Sequence, residues 1–108
     1  MTEAELQKAV IDLAHLLGWR VAHFRPARTK DGWRTPVAAD GKGFPDLVMA
    51  HPDVDGALFV ELKSARGTLT HEQKEWLVLL DDIGEWVDVW TPEQWIDGTI
   101  EKVLKGDA

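Results

Sequence analysis

Apolar residues recur at spacings of three and four from the start of the chain. Leu6, Ala9, Val10, Leu13, Leu16 and Leu17 form one stripe and predict a helix over 2–17. Thr2 followed by Glu5 is a capping-box pair, and Gly18 is a suitable stop. The pattern then alternates over 19–24, with Trp19, Val21 and His23 on one face and Arg20, Ala22 and Phe24 on the other, which predicts a strand. Residues 25–43 are polar and punctuated by Gly and Pro, and read as a loop that is long for so short a chain; such loops are usually functional. Two apolar runs follow, 46–50 and 57–62, joined by the turn-rich His51-Pro52-Asp53-Val54-Asp55-Gly56, and predict a hairpin. After a second polar loop over 63–69, Thr70 and Gln73 make another capping box. They open a helix whose predicted core stripe is Trp76, Leu79, Leu80 and Ile83, ending at Gly84. Residues 85–90 alternate again, with Trp86, Asp88 and Trp90 opposing Val87 and Val89. Thr91-Pro92-Glu93-Gln94 starts a last helix, with proline at the favoured first position and Gly98 as an interruption.

The predicted order is helix, three strands, helix, strand, C-terminal helix. The hairpin favours antiparallel pairing, and the strand-helix-strand step over 57–90 favours a parallel crossover. A mixed central sheet flanked by helices follows, an α/β fold. With 108 residues the chain is expected to form one domain over 1–108.

Composition narrows the setting. No apolar run approaches the roughly 18 residues needed to span a bilayer. The N-terminus lacks the basic-then-apolar order of a secretory signal. There is no cysteine, hence no disulfide framework and no thiolate metal site. A cytoplasmic setting, in a bacterial cell or a phage-infected host, is expected. The net charge of −7 argues at first against a nucleic-acid partner. Its distribution changes that picture. Arg25, Arg28, Lys30, Arg34 and Lys42 face only Asp31 and Asp40 within 25–43, a net +3 that runs directly into Gly43-Phe44-Pro45-Asp46. A basic loop beside an acidic site suits a phosphate backbone. A solvated surface loop is the competing reading.

Asp46 and Glu61 carry the chemistry. A short hairpin places them side by side at one end of two strands. Magnesium prefers carboxylate oxygens, keeps several waters and accepts phosphate oxygens as its remaining ligands. The Leu62 carbonyl is a candidate further ligand. Strand alternation puts Glu61 and Lys63 on one face, so a carboxylate and an ammonium share one space. Lys63 would then orient or deprotonate the attacking water, or stabilise charge on a phosphate. A salt bridge at a strand end, with Asp46 in a turn, is the alternative.

The run Gly43-Phe44-Pro45-Asp46-Leu47-Val48, then Glu61-Leu62-Lys63, then Gly67-x-Leu69-Thr70-x-x-Gln73-x-x-Trp76 resembles the VRR-NUC branch of the PD-(D/E)xK nuclease superfamily. Glu3-Ala4-Glu5-Leu6-Gln7 resembles that family's first helix. The resemblance spans residue 3 to about residue 95. It implies a restriction-endonuclease-like αβββαβ core, here with an extra C-terminal helix. It also implies Mg²⁺- or Mn²⁺-dependent endonucleolytic hydrolysis of DNA phosphodiesters. Short stand-alone members resemble Holliday-junction resolvases and act as homodimers, while members with extra domains cut flaps and other branched DNA. The expected substrate is therefore a four-way junction or other branched DNA. By the same resemblance Asp46 and Glu61 match the metal carboxylates, Lys63 the motif lysine and Gln73 a glutamine near the active site. A first-helix glutamate completes the metal site, and Glu3 fits that place better than Glu5, whose capping role competes. Gln73 is a helix cap, a site residue or both. The basic residues of 25–43 together with Arg66 are expected to grip the DNA backbone.

The rival readings are a flap, nicking or restriction-type nuclease, and a non-catalytic DNA- or protein-binding module on a nuclease scaffold. Other candidates are weaker. His15, His23, His51 and His71 lack metal-ligand spacing. His15 and His23 read as partly buried core or edge positions, and His71 as part of an exposed first helical turn. Trp76, Trp86 and Trp90 fall on core stripes, which leaves Trp33 in the basic loop as the tryptophan for DNA or a partner subunit.

Overall fold

The computed structural model describes residues 1–24, 27–29, 32–34 and 37–106, the two short middle pieces by their backbone alone. Helix α1 (Glu3–Leu16) opens on the expected capping box: Thr2 Oγ1 accepts the Glu5 N–H at 3.1 Å, and Glu5 Oε1 accepts the Thr2 N–H at 2.9 Å. The chain reverses at Gly18 into strand β1 (Arg20–His23). Strands β2 (Ala27–Thr29) and β3 (Gly32–Arg34) follow, then β4 (Leu47–Ala50) and β5 (Leu58–Leu62). Helix α2 (His71–Asp82), strand β6 (Trp86–Trp90) and helices α3 (Pro92–Ile96) and α4 (Thr99–Lys105) complete the order.

The main sheet runs β1-β4-β5-β6. β4 pairs antiparallel with β1 and with β5, while β5 pairs parallel with β6. This is the expected mixed sheet, and the helix-strand order is that of a restriction-endonuclease-like core. α1 crosses one face against β1 and β5 and meets α3 and α4. Leu6, Val10 and Ala14 of α1 bury there with Leu47, Met49, Leu58, Val60, Leu62, Ile100 and Leu104. Trp19 locks α4 down by donating its indole N–H to the Leu104 carbonyl at 2.9 Å. α2 lies on the opposite face, where its Trp76 meets Phe44 edge-on and Phe44 meets Phe59 of β5.

Several expectations change. Residues 25–43 are not loop throughout, since β2 and β3 pair antiparallel with Arg28 opposite Trp33. The core stripe of α2 is turned from its predicted line: Leu77 and Leu80 are buried and Trp76 half-buried, whereas Leu79 and Ile83 stand 53% and 64% exposed. Trp76-Leu77-Val78-Leu79-Leu80 is apolar for more than a full turn, so periodicity cannot choose its inward edge; packing on β6 and Phe44 does. In α1, Ala14 replaces Leu16, which is 81% exposed, because the inward line Leu6-Val10-Ala14 steps by four. Trp90 is fully buried, as expected, while Trp86 at the start of β6 remains 36% exposed. The last helix breaks at Gly98, as its sequence suggested.

The histidines divide the same way. His15 is exposed, contrary to expectation; His23 is half-buried in β1, and His71 is exposed in the first turn of α2. His51 Nε2 bonds the Leu17 carbonyl at 3.0 Å, and its Nδ1 accepts the Asp53 N–H at 3.0 Å, so it ties the end of α1 to the β4–β5 connection. Among the described residues no helix is long and apolar enough to cross a membrane.

Candidate active site

Register brings the two carboxylates together. Leu47 pairs with Val60, so Asp46, just before β4, lies across from Glu61. Both point to the α2 side of the sheet, because Leu47, Val60 and Leu62 point to the α1 side. Asp46 is held twice: its carbonyl accepts the Phe24 N–H at 2.8 Å, and its carboxylate Oδ2 accepts the Leu62 N–H at 2.8 Å. The side chain thus takes the place of a further backbone rung at the end of the ladder. Leu62, singled out for its carbonyl, acts here through its amide.

Glu61 is 1% exposed and is the only charged side chain among the described residues that is buried. Its Oε1 accepts from Gln73 Nε2 at 3.0 Å. Its Oε2 is buried and, as a carboxylate oxygen, meets no donor among the described residues. Burial is the first reason that the Glu61 carboxyl is pushed up to about 9. The negative charge of Asp46 is the second, followed by a hydrogen bond with Asp46 that needs a proton between the two groups. Lys63 draws the value down in part, and Glu3 adds a smaller upward push. An acid so placed is held neutral until something positive arrives.

Gln73 serves two places at once. Its amide oxygen accepts the Thr70 N–H at 2.8 Å and closes the capping box, while its amide nitrogen reaches Glu61. Capping and site contact therefore belong to one side chain. Lys63 is half-buried and closes no ion pair among the described residues, so the salt bridge raised as an alternative is not formed.

The first-helix glutamates differ. Glu5 spends its carboxylate on the Thr2 N–H, which holds its pKa below the usual range. Glu3 is raised, first by partial burial and then by the charge of Asp46, with Lys63 opposing, so it shares the field of the site. Among the described residues no three His, Cys, Asp or Glu side chains close into a ready-made metal cage. The arrangement is a carboxylate pair with an open side. A magnesium site that relies on water and substrate oxygens for most of its ligands has that form.

The basic candidates are more scattered. Arg66 is exposed in the loop after β5. Lys42 is exposed and lies 3.3 Å from Glu72, an ion pair in solvent that constrains it little. Arg28 and Arg34 lie on β2 and β3, where the backbone alone is described, as it is for Trp33. Arg25 and Lys30 lie outside the described residues.

A protein-family model, the VRR-NUC domain, matches residues 5–91. The match takes in Asp46, Glu61, Lys63 and Gln73 and starts just after Glu3. No curated protein and no solved structure matches the chain.

Proposed function

The chain belongs to the VRR-NUC domain family, hence to the PD-(D/E)xK-type nucleases that act on DNA, and from that premise we propose a divalent-metal-dependent endonuclease acting on branched DNA. The observation that carries the metal is the buried Asp46–Glu61 pair: Glu61 Oε2 meets no donor among the described residues, and only a proton shared with Asp46 satisfies it in the metal-free protein. Once that proton leaves, a buried carboxylate pair of this kind is costly unless a cation takes its place. Asp46, Glu61, Glu3 and the Leu62 carbonyl would hold Mg²⁺ or Mn²⁺. When bound, the ion supplies polarisation of the scissile phosphate and a water of lowered pKa.

The protein's own residues do the rest. The Leu62 amide fixes the Asp46 carboxylate, and Gln73 fixes that of Glu61, so neither turns toward solvent. Lys63 shares the face of Glu61 and has no competing partner among the described residues, so its ammonium is available to hold the attacking water or a phosphate oxygen. Membership of the superfamily implies that in-line attack would expel the 3′ oxygen and leave a 5′-phosphate and a 3′-hydroxyl. The 108 residues act as one nuclease domain in the cytoplasm, and a homodimer would bring two sites related by a twofold axis to the two strands of a four-way junction. The intact Asp46, Glu61 and Lys63 disfavour a non-catalytic module.

The test is cleavage of a labelled four-way junction beside its matched linear duplex, in Mg²⁺, Mn²⁺ and EDTA, with Asp46→Asn as control. Paired, metal-dependent cuts on the junction that vanish in the variant are expected. Equal cutting of both substrates would keep the nuclease and remove junction selectivity. Tight junction binding with no cutting under any metal would sink the enzymatic reading. The basic stretch has its own test. Neutralising Arg28, Lys30 and Arg34 together should reduce the slope of log affinity against log salt by about 0.9 for each phosphate that these side chains neutralise. An unchanged slope would take these residues off the DNA.

A further inference from the structure

The half of the site that follows segment 37–45 and the half carried by α2 are joined at one close backbone contact. Gly43 has φ +83°, and a Cβ built there would lie 2.6 Å from the Glu72 carbonyl carbon and 2.7 Å from the Gln73 nitrogen. Neither atom belongs to a side chain that can swing aside. Other glycines with positive φ are unlike it: Gly56, Gly84, Gly98 and Gly106 have nothing within 4 Å of such an atom. Around this contact the same segment is fastened to the first turns of α2. The Trp76 indole N–H donates to the Asp40 carbonyl at 3.0 Å. The Phe44 ring meets Trp76 edge-on at 5.0 Å and also contacts Phe24 and Phe59. Pro45 is fully buried. Asp46 comes three residues after Gly43, and the α2 residue whose nitrogen abuts Gly43 is Gln73, the side chain that holds Glu61.

We propose that Gly43 is a positioning residue. By admitting the backbone of Glu72 and Gln73 to direct contact, it sets the depth at which α2 sits against the sheet and so the reach of Gln73 to Glu61. The proposal rests on the reading of Glu61 and Gln73 as parts of a nuclease site. A methyl group at position 43 pushes the first turn of α2 outward while Asp46, anchored to Leu62 and Phe24, stays. The two halves of the site then separate.

The experiment compares Gly43→Ala with Gly84→Ala. Gly84 lies just past the end of the same helix at φ +90°, so its variant carries a similar backbone strain without the collision. Gly43→Ala is expected to lower kcat by about a hundredfold, the scale of a small misplacement of catalytic groups, with KM little changed. Gly84→Ala is expected to lose melting temperature but keep kcat. In a Gln73→Ala background the Gly43→Ala change should cost less than about threefold more, because both act through one contact. The Gln73 side-chain amide, followed by NMR, should lose its hydrogen-bonded shift and exchange protection in Gly43→Ala and keep them in Gly84→Ala. If Gly43→Ala does not fold, Trp76→Phe loosens the same junction by deleting the bond to Asp40 while keeping a ring, and it should show a weaker form of the same non-additivity. Equal kcat losses in the two glycine variants, multiplicative losses with Gln73→Ala, or an unchanged Gln73 amide would overturn the proposal. Should the wild-type protein cut no DNA, the nuclease reading fails, and the amide measurement still decides the role of Gly43.

Discussion

Lys63→Ala is expected to abolish most DNA cleavage, by about 10²–10³-fold in kcat, while junction affinity and melting temperature stay close to wild type. The contrast follows from what Lys63 touches. It closes no ion pair among the described residues and belongs to no buried cluster, so truncation removes no packing that the fold depends on. Its charge is nevertheless felt by both Glu61 and Glu3, whose carboxyls it pulls downward, so it sits in the field of the carboxylate pair. A half-buried ammonium beside two carboxylates, without a protein partner of its own, is free to serve a water or a phosphate. Lys63→Arg is the informative companion. It keeps the charge but replaces a compact ammonium with a planar fork, so partial activity would show that charge near the phosphate suffices. Loss as deep as in the alanine variant would show that the position of a single donor matters. Single-turnover cleavage of a labelled junction in saturating Mg²⁺, with binding measured in Ca²⁺ or EDTA, separates the two effects. Wild-type rates in Lys63→Ala would remove the lysine from the mechanism.

The sequence shows most of the frame of this site and little of its wiring. Strand alternation and a six-residue connection were enough to put Asp46 across from Glu61, because register follows from which residues must face the core. The capping boxes at Thr2 and Thr70 were readable because they are local. The bond from Asp46 to the Leu62 amide was not, since it depends on the register between two strands and on a side chain taking the place of a backbone acceptor. Nor could spacing say whether Gln73 capped a helix or served the site; a side chain with two polar ends does both. Glu3 and Glu5 looked nearly equivalent as residues, and tertiary position separates them. The missed turn of α2 has another cause: where five consecutive positions are apolar, the face that turns inward is chosen by its neighbours.

Glu61→Gln should raise the stability of the metal-free protein at neutral and alkaline pH and cancel the response to Mg²⁺. The folded-state carboxyl of Glu61 stands at about 9 against the ordinary 4.5. Between those values the native protein holds a proton that the unfolded chain releases, so stability falls as pH rises through the window. Below it both states are protonated and no difference arises; above it the full penalty is present. Glu3, also raised, acts in the same direction. The lowered carboxyls of Glu5, Glu72, Asp97 and Glu101 work the opposite way, supplying stability that is lost only as pH falls below the ordinary carboxylate range. They leave the neutral window to Glu61 and Glu3. At pH 7 the penalty from Glu61 is on the order of 3 kcal/mol, a shift of about 15 °C in Tm for a domain of this size. Glutamine keeps an oxygen for Gln73 and places an amide N–H beside the Asp46 carboxylate, so it removes the titration without orphaning its neighbours. In EDTA, wild-type melting should decline from pH 5 to pH 8.5, and the variant curve should be flatter and higher. Mg²⁺ should lift the wild type more as pH rises and release protons on binding, because a cation replaces the proton at Glu61. A wild-type curve that is flat over that range in EDTA would mean that Glu61 is not held as a buried acid, and the argument for a cation at this pair would lose its main support.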